Sequence, residues 1–387
     1  MTTHCHWFAH LSVPALSLVG ALTLFACKPG ATSPAATAPA SSCATCSGGG
    51  VRYLGRVDAS DPKAPRFAWT MSGLTAIVNG TTIGAKLRTD GTEKVFLQPL
   101  IDGKVAGRIE VTSGADREIV LGTGLAPGDH VVELYRETEG AYGSTVFLGF
   151  TSGTLKGAPP AKGRLIEIIG DSISAGYGEL GSETHIGWSS SQNGCHYTPD
   201  SQAAFQSFGA IAAREVGAEV SIVAISGVGV IRDYSGAPST FLATYENAAG
   251  VAGKTPWGFQ QKPDAVIINL GTNDIDNGKG DPGKAFDDAY LRFLEKLRTR
   301  YPRAFVFLTI GPMLGAAELT TMRNHLTTIV AARAKAGDTK VATFDYGIQP
   351  LGGNGETPTG CDWHPSVTEH VAMADTLKGQ LRAKLGW

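Results

Sequence analysis

The chain has 387 residues, of which 42% are hydrophobic and 18% charged, so it is long enough to bury a sizeable core and is not disordered throughout. A formal net charge of −2 without a basic block argues against nucleic acid or an anionic membrane surface as a partner. Its 50 glycines point to many tight turns, as an all-β region would supply.

Residues 11–26 are largely apolar and too short for a transmembrane helix, which needs about 20 residues. They lead into Leu24-Phe25-Ala26-Cys27, and the expectation is an export signal over residues 1–27. The last four residues resemble a lipobox in which Cys27 is lipidated, the one route to membrane attachment. Phe25 is bulky for that motif and residues 1–10 lack Lys and Arg, so an ordinary cleaved signal with Cys27 as bystander stays open. Either way the chain is expected outside the cytoplasm: extracellular, periplasmic or lipoprotein-anchored. Residues 28–50 are rich in Ala, Pro, Ser, Thr and Gly and read as a low-complexity linker. Cys43 and Cys46 within it form a lone C-x-x-C with no second ligand pair nearby, which favours a local disulfide or no role over a zinc site.

Residues 51–157 read as all-β. The runs 74–78 and 81–87 flank Asn79-Gly80 and predict a hairpin, because both turn positions tolerate positive φ. Runs 95–101 and 105–111 flank a second turn at Asp102-Gly103-Lys104, and further strands are expected at 118–121, 130–135 and 144–150. This spacing predicts a sandwich or jelly roll, and it holds no catalytic constellation.

After Lys156-Gly157-Ala158-Pro159-Pro160 the pattern changes to alternating strand and helix over 163–387. The apolar runs 165–169, 220–224, 265–270, 305–310 and 341–344 suit a buried parallel sheet. Helices are predicted at 202–216, 317–336 and 366–385. Another carries Phe286, Tyr290, Phe293, Leu297 and Tyr301 on one face, which reads as core. This alternation predicts a three-layer α/β fold with its ligand site at the carboxyl ends of the strands.

Three motifs fall at those ends: Gly170-Asp171-Ser172, Ser226-Gly227 and Gly271-Thr272-Asn273-Asp274. Near the C-terminus, Gly360-Cys361-Asp362-Trp363-His364-Pro365 supplies a histidine. A serine at a strand-to-helix turn presents its hydroxyl at the sheet edge, a glycine allows close backbone approach, and an asparagine brings an amide donor. Each motif alone is compatible with a turn or a helix cap; all four in order point to catalysis. His4, His6, His10, His130, His185, His196, His325 and His370 lack such a motif and read as export-segment, surface or structural residues.

These blocks, in this order, resemble the SGNH (GDSL-type) hydrolases. The preceding β domain narrows the resemblance to carbohydrate esterase family 2, a jelly roll fused to a flavodoxin-like SGNH domain. Tyr53-Leu54-Gly55-Arg56 and Phe67-Ala68-Trp69 resemble that family's opening, and residues 170–178 its nucleophile block. The resemblance implies Ser172 as nucleophile and His364 as base. It implies an oxyanion hole made by the Ser172 and Gly227 amides and the Asn273 side chain. A serine activated by a base and facing oxyanion donors is what ester hydrolysis requires.

SGNH enzymes usually carry an Asp three residues before the histidine, where this chain has Cys361. Asp362 is two residues before it, an offset that alters where its carboxylate points relative to the ring; a backbone carbonyl is expected to orient His364 as a Ser–His dyad, and a triad with Asp362 as the orienting acid stays open. Cys195 and Cys361 are the only cysteines of this half. In an exported protein they are expected to form a disulfide steadying the histidine loop, with two separate buried thiols as the alternative. The implied substrate is an O-acetyl group on a plant-wall or related polysaccharide or oligosaccharide. Trp188, Trp257 and Trp363 are candidate stacking faces, and Trp363 has the best claim because it adjoins the base. Nothing in the motifs requires a metal or organic cofactor. The rival readings are a lipase or thioesterase on the same scaffold and a non-catalytic carbohydrate-binding protein.

Overall fold

The structure, a computed structural model, describes residues 47–48, 50–184, 194–239, 241–276, 278–352 and 357–387. The export segment with Cys27, most of the linker with Cys43 and Cys46, and His185 and Trp188 lie outside the described residues.

Among the described residues of the first half, ten strands form one curled antiparallel sheet: β1 (Ser47–Gly48), β2 (Val51–Leu54), β3 (Arg66–Phe67), β4 (Gly73–Thr89), β5 (Val95–Ile101), β6 (Lys104–Val105), β7 (Ile109–Val111), β8 (Arg117–Thr123), β9 (Asp129–Arg136) and β10 (Thr145–Gly157). Side chains alternate along them, so Leu74, Ala76 and Val78 share an apolar interior with Val132, Leu134, Leu97 and Phe67.

The expected hairpin at Asn79-Gly80 is absent; the chain runs through it as the 17-residue strand β4. Residues 73–79 pair with β9 and residues 82–87 with β8, so Asn79-Gly80 marks the point where β4 changes partner. Gly80 takes φ +155 there, and a Cβ on it would approach the Cα of Gly153 on β10 to 3.2 Å. Its conformational freedom bends one strand and reverses nothing. The other turn does form: β5 and β6 pair across Asp102-Gly103, at φ +52 and +74, the positive pair of a tight hairpin turn.

In the second half, β11 (Leu165–Gly170), β12 (Glu219–Ala224), β13 (Ala265–Asn269), β14 (Phe305–Ile310) and β15 (Val341–Asp345) form a parallel sheet in the order β12-β11-β13-β14-β15. The α-helices are α1 (Ser172–Ala175), α2 (Phe208–Glu215), α3 (Phe241–Thr244), α4 (Thr272–Ile275), α5 (Gly283–Arg300), α6 (Ala316–Lys335) and α7 (Val367–Leu385). Among the described residues, no helix is long and apolar enough to cross a membrane. The helix predicted at 202–216 is shorter: a single turn at Ala204–Gln206 precedes α2, and the buried Gln202 uses its side chain for tertiary hydrogen bonds instead. The strand order reverses about β11, and the crevice beside such a reversal is where ligands bind in open α/β sheets.

The two halves share core. Leu54, Met71, Leu100 and Tyr135 of the β half pack in one cluster with Ile166, Ile168, Phe205 and Val220, and Trp69 joins the cluster of Phe241 and Tyr245. Arg56 crosses the junction fully buried and pairs with Glu167 at 3.2 Å, while the Tyr245 and Tyr301 hydroxyls donate to the same carboxylate at 2.6 and 3.2 Å. A charge pair this deep requires such additional donors.

Candidate active site

Three neighbouring strands open into one crevice. β11 leads to Asp171-Ser172, β12 to Ser226-Gly227 and β13 to Thr272-Asn273. The Asp171 carboxylate accepts the Ile173 N–H at 3.0 Å and caps α1, which holds the turn that carries Ser172. Burial pushes the Asp171 carboxyl up to about 7. Asp274 on α4 accepts the N–H groups of Val230, Ile231 and Arg232 at 2.8, 2.9 and 3.2 Å, tying the loop after β12 to the end of β13.

Gly227 has φ +79, and a Cβ on it would lie 2.8 Å from the Tyr234 ring, so conformation and space both demand glycine. The Asn273 amide nitrogen donates to the Val228 carbonyl at 2.8 Å, which fixes the side chain and leaves its second N–H for a ligand. Ser172 is the first residue of α1, so its N–H has no acceptor within the helix.

His364 completes the group. Its Nε2 lies 2.7 Å from Ser172 Oγ. Its Nδ1 faces two carbonyl oxygens, those of Asp362 at 3.0 Å and Cys361 at 3.2 Å. Both are acceptors, so Nδ1 carries the hydrogen and Nε2 presents its lone pair to the serine hydroxyl. Burial pushes the imidazole down to about 4, against the opposing pull of these carbonyls, and keeps it neutral at neutral pH.

The Asp362 carboxylate points away from the ring it precedes. It accepts the Tyr177 hydroxyl at 2.8 Å and the Tyr197 N–H at 3.1 Å, with His196 Nδ1 at 3.2 Å. Asp362 and Trp363 are both left-handed, at φ +52 and +60, and this double twist aims the main-chain carbonyls at His364. Cys361 is bonded to Cys195, 166 residues away in sequence. Glu183 accepts the Cys195 N–H and, at 3.4 Å, that of Trp363, so it anchors both sides of the histidine loop.

Ser172, Gly227, Asn273, Trp363 and His364 line one cavity of about 760 Å³ with Tyr177, Tyr234, Asp276, Met313 and Glu318. Trp257 does not reach it and packs near the buried Arg56, 5.7 Å from its guanidinium. His130, His325 and His370 pair with Asp102, with Asp287 and Asp281, and with Glu179, away from the cavity. Among the described residues, no group of three or more His, Cys, Asp or Glu side chains is placed to hold a metal ion.

Sequence reasoning gave no role to Tyr177, although it lies within the quoted nucleophile block. Its ring packs 4.1 Å from the His364 ring and stacks on Tyr197 at 4.0 Å. It also missed Glu183, which has no motif and is recognisable only once the Cys195–Cys361 pairing is known. A hydroxyl facing a neutral base, with amide donors converging beside it, is equipped for acyl transfer through an acyl-serine.

Comparison with known proteins points the same way. The family description "Carbohydrate esterase 2 N-terminal" matches residues 53–161, and "GDSL-like Lipase/Acylhydrolase family" matches residues 168–372. The chain is 35% identical over 342 residues to a cellulase/esterase, CelE, of Acetivibrio thermocellus, covering 87% of this chain but only 40% of that relative's length. It is 23% identical over 386 residues to an acetylxylan esterase/glucomannan deacetylase of Cellvibrio japonicus, covering 97% and 99% of the two chains. A solved family two carbohydrate esterase from Clostridium thermocellum in complex with cellohexaose superposes with a TM-score of 0.79 at 34% identity, over 87% of this chain and all of that one.

Proposed function

The chain belongs to carbohydrate esterase family 2, and from that footing we propose that it is a serine esterase removing O-acetyl groups from polysaccharide or oligosaccharide. The observation that carries this reading is the 2.7 Å contact between Ser172 Oγ and a neutral His364 Nε2, in a cavity also lined by Gly227 and Asn273.

In the proposed mechanism, Ser172 Oγ attacks the acetyl carbonyl carbon as its proton passes to His364 Nε2. The tetrahedral oxyanion is received by the Ser172 and Gly227 amides and by the free N–H of Asn273. Each such donor is worth roughly 10²–10³ in turnover. The carbonyls of Asp362 and Cys361 orient the imidazole and stabilise the imidazolium, in the place a carboxylate occupies in a triad. Collapse expels the sugar oxygen, which takes the proton from His364. A water then attacks the acetyl-serine by the same route in reverse and releases acetate. Trp363, in the cavity wall, is the proposed stacking face for a sugar ring.

We also propose that the chain is exported, on the strength of the apolar run at 11–26 and the Cys195–Cys361 bond, which suits an oxidising compartment. Lipid attachment at Cys27 belongs to the same proposal, and mass spectrometry of the membrane fraction tests it.

The deciding experiment measures acetate released from acetylated xylan and glucomannan, beside hydrolysis of long-chain p-nitrophenyl esters, for the wild type and Ser172→Ala. The reading expects acetate release that Ser172→Ala abolishes, and weak turnover of long chains. Acetate release surviving Ser172→Ala overturns it; preference for long acyl chains assigns the site to a lipase.

A further inference from the structure

The Ile225–Ser226 peptide, next before the one that carries the Gly227 N–H, is held from the β half. Glu139, just beyond β9, immediately precedes a single helical turn at Gly140–Tyr142. The residue is only 4% exposed, and its carboxylate reaches across the junction to the loop after β12. Oε2 accepts the Ser226 N–H at 2.7 Å; Oε1 accepts the Ser226 hydroxyl and, at 3.2 Å, the Gln202 amide. The Gln202 amide nitrogen also donates to the carbonyl of Ala175, the last residue of α1, at 3.0 Å, and its oxygen accepts the Glu139 N–H at 2.9 Å. One buried unit of carboxylate and amide thus touches both the helix that begins at Ser172 and the loop that carries Gly227. Glu139 is itself held by the fully buried Arg136, which donates to the Glu139 carbonyl at 2.8 Å and to the Thr138 carbonyl at 2.6 Å.

The direction of the Gly227 N–H is the direction of the peptide plane it shares with the Ser226 carbonyl. That plane turns about Ser226 ψ and Gly227 φ, and glycine alone would leave it loose. Glu139 anchors the preceding peptide through the Ser226 N–H, and the Tyr234 N–H, donating to the Gly227 carbonyl at 2.8 Å, anchors the following one, so the plane between them turns between two fixed neighbours. An oxyanion donor acts only while it is aimed in advance.

Resting on the serine-esterase reading of this site, we propose that Glu139 of the β half is a positioning residue for the transition state, holding Ser226 by its N–H and hydroxyl so that the Gly227 N–H that follows faces the oxyanion. It acts through Ser226 and is not part of the cavity wall. A residue serving only to join the halves has a different signature, because oxyanion donors act in the transition state and leave substrate binding alone.

The test uses the full chain with p-nitrophenyl acetate and the variants Glu139→Gln, Ser226→Ala, Arg52→Ala and Ser172→Ala. Glu139→Gln keeps size but sets a donor among donors; Ser226→Ala removes one of the two contacts and keeps the fold if the first variant does not. Arg52→Ala breaks the 2.8 Å pair with Glu219 at the far end of β12 and serves as a junction control. The expected result is a kcat lowered about 10–100-fold in Glu139→Gln with KM within about twofold, and a smaller loss of the same kind in Ser226→Ala. Arg52→Ala is expected to keep wild-type kcat. Wild-type kcat in both Glu139→Gln and Ser226→Ala, or losses that follow Tm equally in Arg52→Ala, overturn the proposal. An active Ser172→Ala overturns the esterase reading as well, whereas an inactive one beside fully active Glu139→Gln and Ser226→Ala sinks only the role of Glu139.

Discussion

Asp362 meets His364 through its main chain: the Asp362 carbonyl lies 3.0 Å from Nδ1, while its carboxylate faces the Tyr177 hydroxyl at 2.8 Å. Asp362→Asn is therefore expected to lower kcat less than about tenfold, since asparagine tolerates the left-handed backbone and still offers Tyr177 an acceptor. His364→Ala removes the base and is expected to cost about 10²–10⁴. Steady-state kinetics of both variants with circular dichroism as a fold check decides it; equal losses would restore Asp362 as a triad acid.

A base whose imidazole is held down to about 4 remains ready in mild acid. The kcat/KM profile of the free enzyme is expected to stay flat as pH falls through 6.5 and to drop only near 4, because the protonated ring cannot accept the serine proton. Stability follows the same sign. The folded ring binds protons less readily than the unfolded one, so its contribution is complete above about 6.5 and declines as pH falls toward 4. Urea midpoints of wild type and His364→Gln at pH 7 and 5 measure this: the wild type should lose more between the two than the variant does.

The Cys195–Cys361 bond closes over the segment that presents His364. The double variant Cys195→Ala/Cys361→Ala is expected to lose about 2–4 kcal/mol of stability. Its kcat should fall more than its KM rises, as the base wanders from Ser172. Calorimetry and kinetics check the two effects, and non-reducing peptide mapping of the wild type checks the bond.

Gly227→Ala strains the backbone at φ +79 and drives a methyl into Tyr234. A kcat loss of about 10²–10³ is expected, the scale of one lost oxyanion donor. Adding Tyr234→Ala removes the clash but not the left-handed φ, so activity should recover only in part. Full recovery would mean that packing, and not the direction of the amide, was the fault.

The parallel sheet is legible because its strands are continuous apolar runs whose limits the flanking glycines and polar residues mark; the run 305–310 coincides with β14 to the residue. Asn79-Gly80 misled because a positive φ serves a bend as readily as a turn, and the choice lay with β8 and β9, 30 or more residues downstream. Gln202 looked helical by local pattern, but its hydrogen bonds to Glu139 and Ala175 are tertiary. The offset of Asp362 from His364 was readable; the destination of its carboxylate, the Tyr177 hydroxyl 185 residues away, was not. Glu139 carries no local signal for the same reason, since its partners Ser226 and Gln202 lie in the other half of the chain.

The shared core has a consequence for modularity. Leu54, Met71, Leu100 and Tyr135 are buried by residues of the α/β half, and Trp69 closes a second cluster there. A cut at residue 160 would open an apolar face on both fragments and leave Glu167 without its buried guanidinium partner. Unlike a tethered binding module, the β half is not cargo that evolution or an engineer can exchange at will. A graft onto another hydrolase would have to transplant both sides of the seam together.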